Sequence, residues 1–287
     1  MSSALKGTLL GLLGFGLFTF ADATIKFLGG GYSSVQIMAF AGVCTFPLVA
    51  VLWLVEGGRL RPVHPGLMAL RTAALIVNGL LVTYVFTVLP LAQAYAIFFT
   101  MPLMISLLGW PILGERVDPI AGVAVVIGLV GVYVALDPQG AAFGIGHLAA
   151  IIGAVCAAIH YLIIRKTGGV ESRVAMMIYP LMGQTVAALA LLPGRYLPMP
   201  ASDLGLIACM TLAGFAGALV MIAAYRAAPP IVVAPTQYSQ IAWAALFGAL
   251  LFGETMSLRT AIGMVIIAAT GIVVVARQDR PAKAADT

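Results

Sequence analysis

Asp22 and Lys26 are four residues apart inside a long apolar stretch. In a helix that spacing puts both on one face, which also carries Gly14 and Phe18. A charge at mid-span costs about 2.5–3.5 kcal/mol on insertion scales, so each one asks for a reason. Asp22 reads either as a substrate or proton site, or as half of a local ion pair whose Lys26 snorkels outward and softens the helix C-terminus. His160 is the only histidine deep inside an apolar run. Its ordinary pKa near neutrality suits a proton relay or a substrate contact, and a hydrogen-bonded packing role is the alternative. The densest polar cluster is Thr236-Gln237-Tyr238-Ser239-Gln240, followed by Trp243. Gln237, Gln240 and Ala244 share a helical face. So many polar groups together are expected to face the bundle interior, lining a cavity or bonding to a neighbouring helix. Asn78, midway along another apolar run, is a further candidate lining residue.

Enzyme signatures are missing from the sequence. It has no phosphate loop, no H-E-x-x-H, no G-x-S-x-G, and no Cys/His spacing for a metal. Cys44, Cys156 and Cys209 sit in apolar runs and read as packing residues. A membrane enzyme acting on lipids would need a nucleophile and a base near one face, and no motif supplies them. Neither a catalytic residue, a metal nor a cofactor is expected.

These residues sit in a chain of 287 residues that is 62% hydrophobic and 9% charged, against about 25% charged in an ordinary soluble domain. Ten apolar runs lie near 4–28, 34–56, 66–88, 91–110, 119–137, 146–166, 173–192, 204–226, 231–252 and 257–276. Each is about the length that spans a bilayer as a helix, and Gly and Pro clusters separate them. Barrel strands would be shorter and would alternate in polarity. The predicted fold is therefore an all-α membrane protein of ten transmembrane helices. Pro102, Pro180 and Pro235 fall inside runs and favour kinks. With the N-terminus in the cytoplasm, twelve Lys and Arg fall on the inner side and three on the outer, which predicts cytoplasmic termini. The net charge of +5 thus reads as a topology signal, not as affinity for nucleic acid.

A shift of 139 residues places Gly7 on Gly146, Gly14 on Gly153, Lys26 on Arg165, Pro90 on Pro229, and Gly114-Glu115 on Gly253-Glu254. The halves, 1–138 and 139–287, would hold five helices each. An odd number makes the second half enter from the opposite side, so the repeats are inverted around a central cavity. Lys6 and Ala21-Asp22-Ala23 resemble parts of a signal peptide, but the first run aligns with the sixth, which is internal. Tyr161 falls opposite Asp22, at a symmetry-related depth. Run four offers Tyr95 and Phe99 opposite the polar cluster of run nine, so aromatic rings face amides and hydroxyls. Glu115 and Glu254, by position alone, read as solvated helix-end charges.

Gly114-Glu115 followed by Val117-Asp118-Pro119, its echo at Gly253-Glu254, and the opening Phe20-Ala21-Asp22-Ala23 with Lys26, Tyr32 and Gln36 resemble the drug/metabolite transporter superfamily, EamA type, over the whole chain. The resemblance implies ten helices, cytoplasmic termini and a bacterial inner-membrane location. It implies a secondary carrier of small polar or amphipathic metabolites working by alternating access. Amino acid export stands first, with import of a cofactor-like or nucleotide-derived metabolite as the alternative. Phe18, Asp22, Asn78, Tyr95, Phe99, His160, Tyr161, Gln237, Gln240 and Trp243 are the candidate substrate-binding residues. Glu115 and Glu254 take a structural or gating role. The partners expected are the substrate, the bilayer and protons as a candidate coupling ion; a monomer suffices, and nucleic acid is not expected. If Asp22 or His160 couples protons, neutralising that residue abolishes the dependence of flux on a pH gradient. Unchanged dependence in both single variants rejects the coupling.

Overall fold

The computed structural model describes residues 3–57, 60–113, 119–136, 144–167, 170–228 and 230–278. Glu115 and Asp118 lie outside the described residues. The elements are helices α1 (Ser3–Gly29), α2 (Ser34–Glu56), α3 (Pro65–Val88), α4 (Leu91–Phe98), α5 (Met101–Leu113), α6 (Pro119–Leu136), α7 (Ile145–Thr167), α8 (Arg173–Leu191), α9 (Ala201–Ala227), α10 (Pro230–Val233), a 3₁₀ turn (Ala234–Tyr238), α11 (Ser239–Phe252) and α12 (Leu258–Gln278). Among the described residues, seven helical stretches are long and apolar enough to cross a membrane, and two shorter apolar helices accompany them.

Two of the expected runs are broken. Run four divides into α4 and α5 around Phe99 and Thr100, and run nine into α10, the 3₁₀ turn and α11. A proline cannot donate to the carbonyl four residues back, and its ring crowds that carbonyl. Pro102 stands at the second position of α5 and Pro235 within the 3₁₀ turn. Pro180 leaves α8 continuous, as Pro47 leaves α2. The breaks meet: the Phe99 and Tyr238 rings are 5.4 Å apart, and these two residues are 139 positions apart.

The pairing of helices follows the same offset. α1 packs on α9 as α7 packs on α3, while α2 pairs with α8 and α6 with α12. Small residues make the closest seams. A Cβ at Gly7 would strike Ala228, and one at Gly14 would strike Met221. On the other side Gly146 faces Val88 and Leu89, and Gly153 faces Val82 and Asn78. Gly263 lies against the backbone of Gly131 and Ala135, which brings α12 and α6 together. With lipid as solvent, such close packing takes the place of a hydrophobic driving force.

The two ends of the bundle are latched by equivalent contacts of different chemistry. At one end the Tyr32 hydroxyl donates to Asp203 Oδ2 at 2.5 Å, and this carboxylate holds the phenol above its usual range. At the other, Glu171 accepts from the amides of His64 (2.7 Å) and Val63 (3.0 Å), capping the start of α3. Burial pushes the Glu171 carboxyl up, but the two amide donations and the neighbouring His64 outweigh it and hold it below its usual value. Tyr32 and Glu171, like His64 and Asp203, are 139 positions apart.

Candidate functional site

The connection Leu89–Pro90–Leu91 leaves the end of α3 and the start of α4 side by side. Pro90 cannot donate, and water is scarce inside a bundle, so these helix ends need partners from the protein. One ion pair supplies them. Lys26 Nζ donates to Leu89 O at 2.7 Å and pairs with Glu254 Oε1 at 2.9 Å. Glu254 Oε2 accepts from Leu91 N at 3.1 Å. Both charges are largely shielded, with side chains 13% and 21% exposed. Gly253 makes this possible: its φ of 63° ends α11 in the left-handed region, and the next amide, Glu254 N, closes on Gly248 O at 2.9 Å. The chain thereby aims Glu254 at α4. This corrects the expectation of a solvated charge at Glu254. It also corrects the local pairing of Asp22 with Lys26, whose ammonium lies instead against Glu254, Leu89 O and the Phe252 ring.

Asp22, one helical turn earlier, accepts from the Tyr95 hydroxyl, and Gln240 Nε2 stands 3.5 Å from the same oxygen. Tyr95 stacks on Phe99 at 5.7 Å, and Phe86 touches both Tyr95 and Phe98. The structure therefore brings Asp22, Tyr95, Phe99 and Gln240 into one cluster. Phe18 packs edge-on to Phe15 and over Gly217. Trp243 donates to Leu12 O at 3.2 Å and stacks on Phe247. Gln237 is half-buried within the 3₁₀ turn.

Asn78, His160 and Tyr161 are grouped elsewhere. They line a cavity of about 230 Å³ with Leu75, Val82, Phe98, Met101, Ala154 and Ala157. Asn78 Nδ2 donates to Gly153 O at 2.8 Å, and the His160 and Tyr161 rings meet edge to face at 4.9 Å. Phe98 joins this cavity to the Asp22 cluster through Phe86 and Tyr95. A second cavity of about 190 Å³ lies between α2, α3, α8 and α9; Thr83, Gln184 and Thr185 line it, and the sequence alone did not single them out.

The 139-residue offset relates the walls of the first cavity to residues of the other half. Its lining residues Ala154, Ala157 and Val82 correspond to Phe15, Phe18 and Met221. In the other half those larger side chains fill the equivalent space against Gly14 and Gly217. Tyr161, Phe98 and Met101 correspond to Asp22, Gln237 and Gln240.

One buried cation, a helical turn before the lining residue Leu75, was read from sequence only as a topology signal. Arg71 is 6% exposed. Its Nη1 donates to Met176 O at 2.6 Å, and its Nε is buried without a partner. His160 Nδ1 is likewise buried and unpartnered. The spacing of Arg71 from Leu75, Asn78 and Val82 was the available signal, because it continues one helical face.

Such a bundle of long apolar helices, with two broken helices that meet and a cavity between helices, is that of a multi-pass membrane protein. The profile of the EamA-like transporter family matches residues 5–136 and again 144–277, so the chain belongs to that family and is not an enzyme. It is 22% identical over 271 residues to an uncharacterized transporter of Helicobacter pylori strain J99, covering 90% of each chain. It is 24% identical over 281 residues to an S-adenosylmethionine uptake transporter of Rickettsia conorii, covering 96% of this chain and 95% of that one. The corresponding transporter of Rickettsia prowazekii is 25% identical over 273 residues, with 93% and 92% covered. A solved crystal structure superposes with a TM-score of 0.66 at 20% identity, covering 96% of this chain and 99% of that one, a likeness of fold alone.

Lys26→Met and Glu254→Gln each strand a partly buried charge and leave a helix end unmet. Each is expected to lower stability against unfolding in detergent micelles, and the double variant to lose less than the sum, with a coupling of about 1–3 kcal/mol. Additive losses would show that the pair does not act as a unit.

Proposed function

We propose that this protein is a secondary carrier that imports a cofactor-like metabolite of the S-adenosylmethionine type across a bacterial inner membrane by alternating access. The observation that carries this reading is the cavity between α3, α5 and α7, walled by Phe98, His160, Tyr161 and Asn78. Aromatic faces attract sulfonium and other onium cations and stack on planar bases. The names of the Rickettsia relatives, S-adenosylmethionine uptake transporters, support the substrate class. Amino acid export, first in order from the sequence, finds no support in those names and gives way to the alternative.

In this reading ten helices form two inverted halves, 1–138 and 139–287, with both termini in the cytoplasm. The Lys26–Glu254 pair closes the outer end, and the cavity opens toward the Arg71 end. The Asp22 cluster lies on the route between the halves. Asp22 and His160 are the groups available to couple protons, and a single copy of the chain suffices.

Counterflow tests the proposal. Proteoliposomes preloaded with unlabelled S-adenosylmethionine should accumulate the labelled compound transiently and saturably, with competition by S-adenosyl analogues and not by unrelated amino acids. Exchange of other pooled metabolites without S-adenosylmethionine would reject the substrate class. Ohmic single-channel currents would reject the carrier mechanism.

A further inference from the structure

We propose that Arg71 is a carboxylate-binding residue at the end of the α3–α5–α7 cavity, so that the transported metabolite carries a carboxylate that enters toward this guanidinium. The inference deepens the carrier reading and rests on it.

The placement comes from α3. Leu75, Asn78 and Val82 form the wall this helix gives to the cavity, and Arg71 continues the stripe by one turn toward the start of the helix. Arg71 also lies within electrostatic range of two residues of the opposite wall, His160 and Tyr161.

A buried guanidinium normally meets a carboxylate. The carboxylates of the described side chains are committed elsewhere. Asp22 accepts from Tyr95, Asp203 from Tyr32, and Glu254 pairs with Lys26. Glu171 caps α3 through the amides of Val63 and His64. Among the described residues Arg71 meets only a neutral carbonyl, Met176 O, and the weak acceptor Met68 Sδ at 3.8 Å. Its Nε hydrogen has no acceptor. A planar fork with an unused donor is suited to a carboxylate, which accepts two parallel hydrogen bonds. His160 Nδ1, also unpartnered, adds a second polar group on the facing wall. A zwitterionic metabolite would place its carboxylate at Arg71 and its cationic or planar portion against Phe98 and Tyr161.

The ligand itself can be varied, so the first comparison uses the unaltered protein. S-adenosylmethionine and its decarboxylated form differ in the carboxylate and share the sulfonium and the adenosyl group. In counterflow the decarboxylated compound should need at least about tenfold higher concentration for half-saturation, the loss of one charge-assisted recognition. Arg71→Gln should raise the half-saturation for S-adenosylmethionine by a similar factor and leave the decarboxylated compound unchanged, bringing the ratio near one. Arg71→Lys should restore part of the ratio. A merely structural arginine would impair both compounds by the same factor, and that result overturns the proposal. So does an equal preference in the unaltered protein, which is the outcome if a free anion occupies Arg71 instead of the substrate. If the unaltered protein exchanges no S-adenosylmethionine, the substrate class has failed, and the carboxylate site is judged by binding. Thermal stabilisation of the detergent-solubilised protein by pooled metabolites that are carboxylic acids, but not by their amides, lost in Arg71→Gln and partly kept in Arg71→Lys, supports the site. Equal effects of acid and amide overturn it.

Discussion

Inside a bilayer every backbone donor and acceptor must find its partner within the protein, and a helix that stops inside the bundle exposes several of each. The corner between α3 and α4 is the sharpest instance. Lys26 holds the last carbonyl of that corner, Leu89 O, and Glu254 holds the first amide of the next helix, Leu91 N. The two charges neutralise each other at 2.9 Å. One interaction therefore ties α1, the α3–α4 corner and the α11–α12 connection together. The left-handed Gly253 is needed for Glu254 to reach its target. The Gly-Glu pair is in this sense a capping device built from two distant segments. A charged cap can be taken apart at modest cost when other groups or water replace it, which a continuous helix cannot. That property suits an end that opens in the proposed carrier cycle.

The rest of the site is organised around near-symmetry with local differences. Helix pairings obey a two-fold exchange of halves, and Phe99 touches its own counterpart Tyr238 where the broken helices meet. Side-chain size then differs between the halves. Ala154 and Ala157 leave a cavity where Phe15 and Phe18 fill one. Polarity is divided as well: Tyr161 and Met101 on the open side stand for Asp22 and Gln240 on the filled side. In the proposed alternating-access cycle, a duplicated backbone would present chemically different surfaces in its two states.

Much of the fold was legible because membrane helices have a length and composition that few other structures share. The ends of most runs fell within a few residues of the observed helices, α2 and α8 among them. What sequence periodicity could not give was the internal breaks. Proline alone is ambiguous: Pro235 lies in a 3₁₀ turn, whereas Pro180 and Pro47 are absorbed. The site was legible as types of residue and not as partnerships. The four-residue spacing of Asp22 and Lys26 suggested a pair, yet each found a partner more than sixty positions away. Arg71 was read as an interfacial charge because charge counting assigns every Lys and Arg near a run end to water. Its spacing from Leu75, Asn78 and Val82 put it on a buried face, but the α8 packing that covers it is a tertiary fact.

In the proposed carrier the Lys26 end is shut while the cavity faces the Arg71 end, and substrate exchanges the two. Spin labels at the exposed residues Val88 and Met256 report on the first end, and labels at the exposed Leu70 and Leu107 on the second. Pulsed electron paramagnetic resonance in liposomes, with and without S-adenosylmethionine, measures both separations. The account predicts a short Val88–Met256 distance without substrate that gains a longer population with it, while the Leu70–Leu107 distance gains a shorter one. Distances at both ends that stay fixed under saturating substrate, or lengthen together, would contradict it.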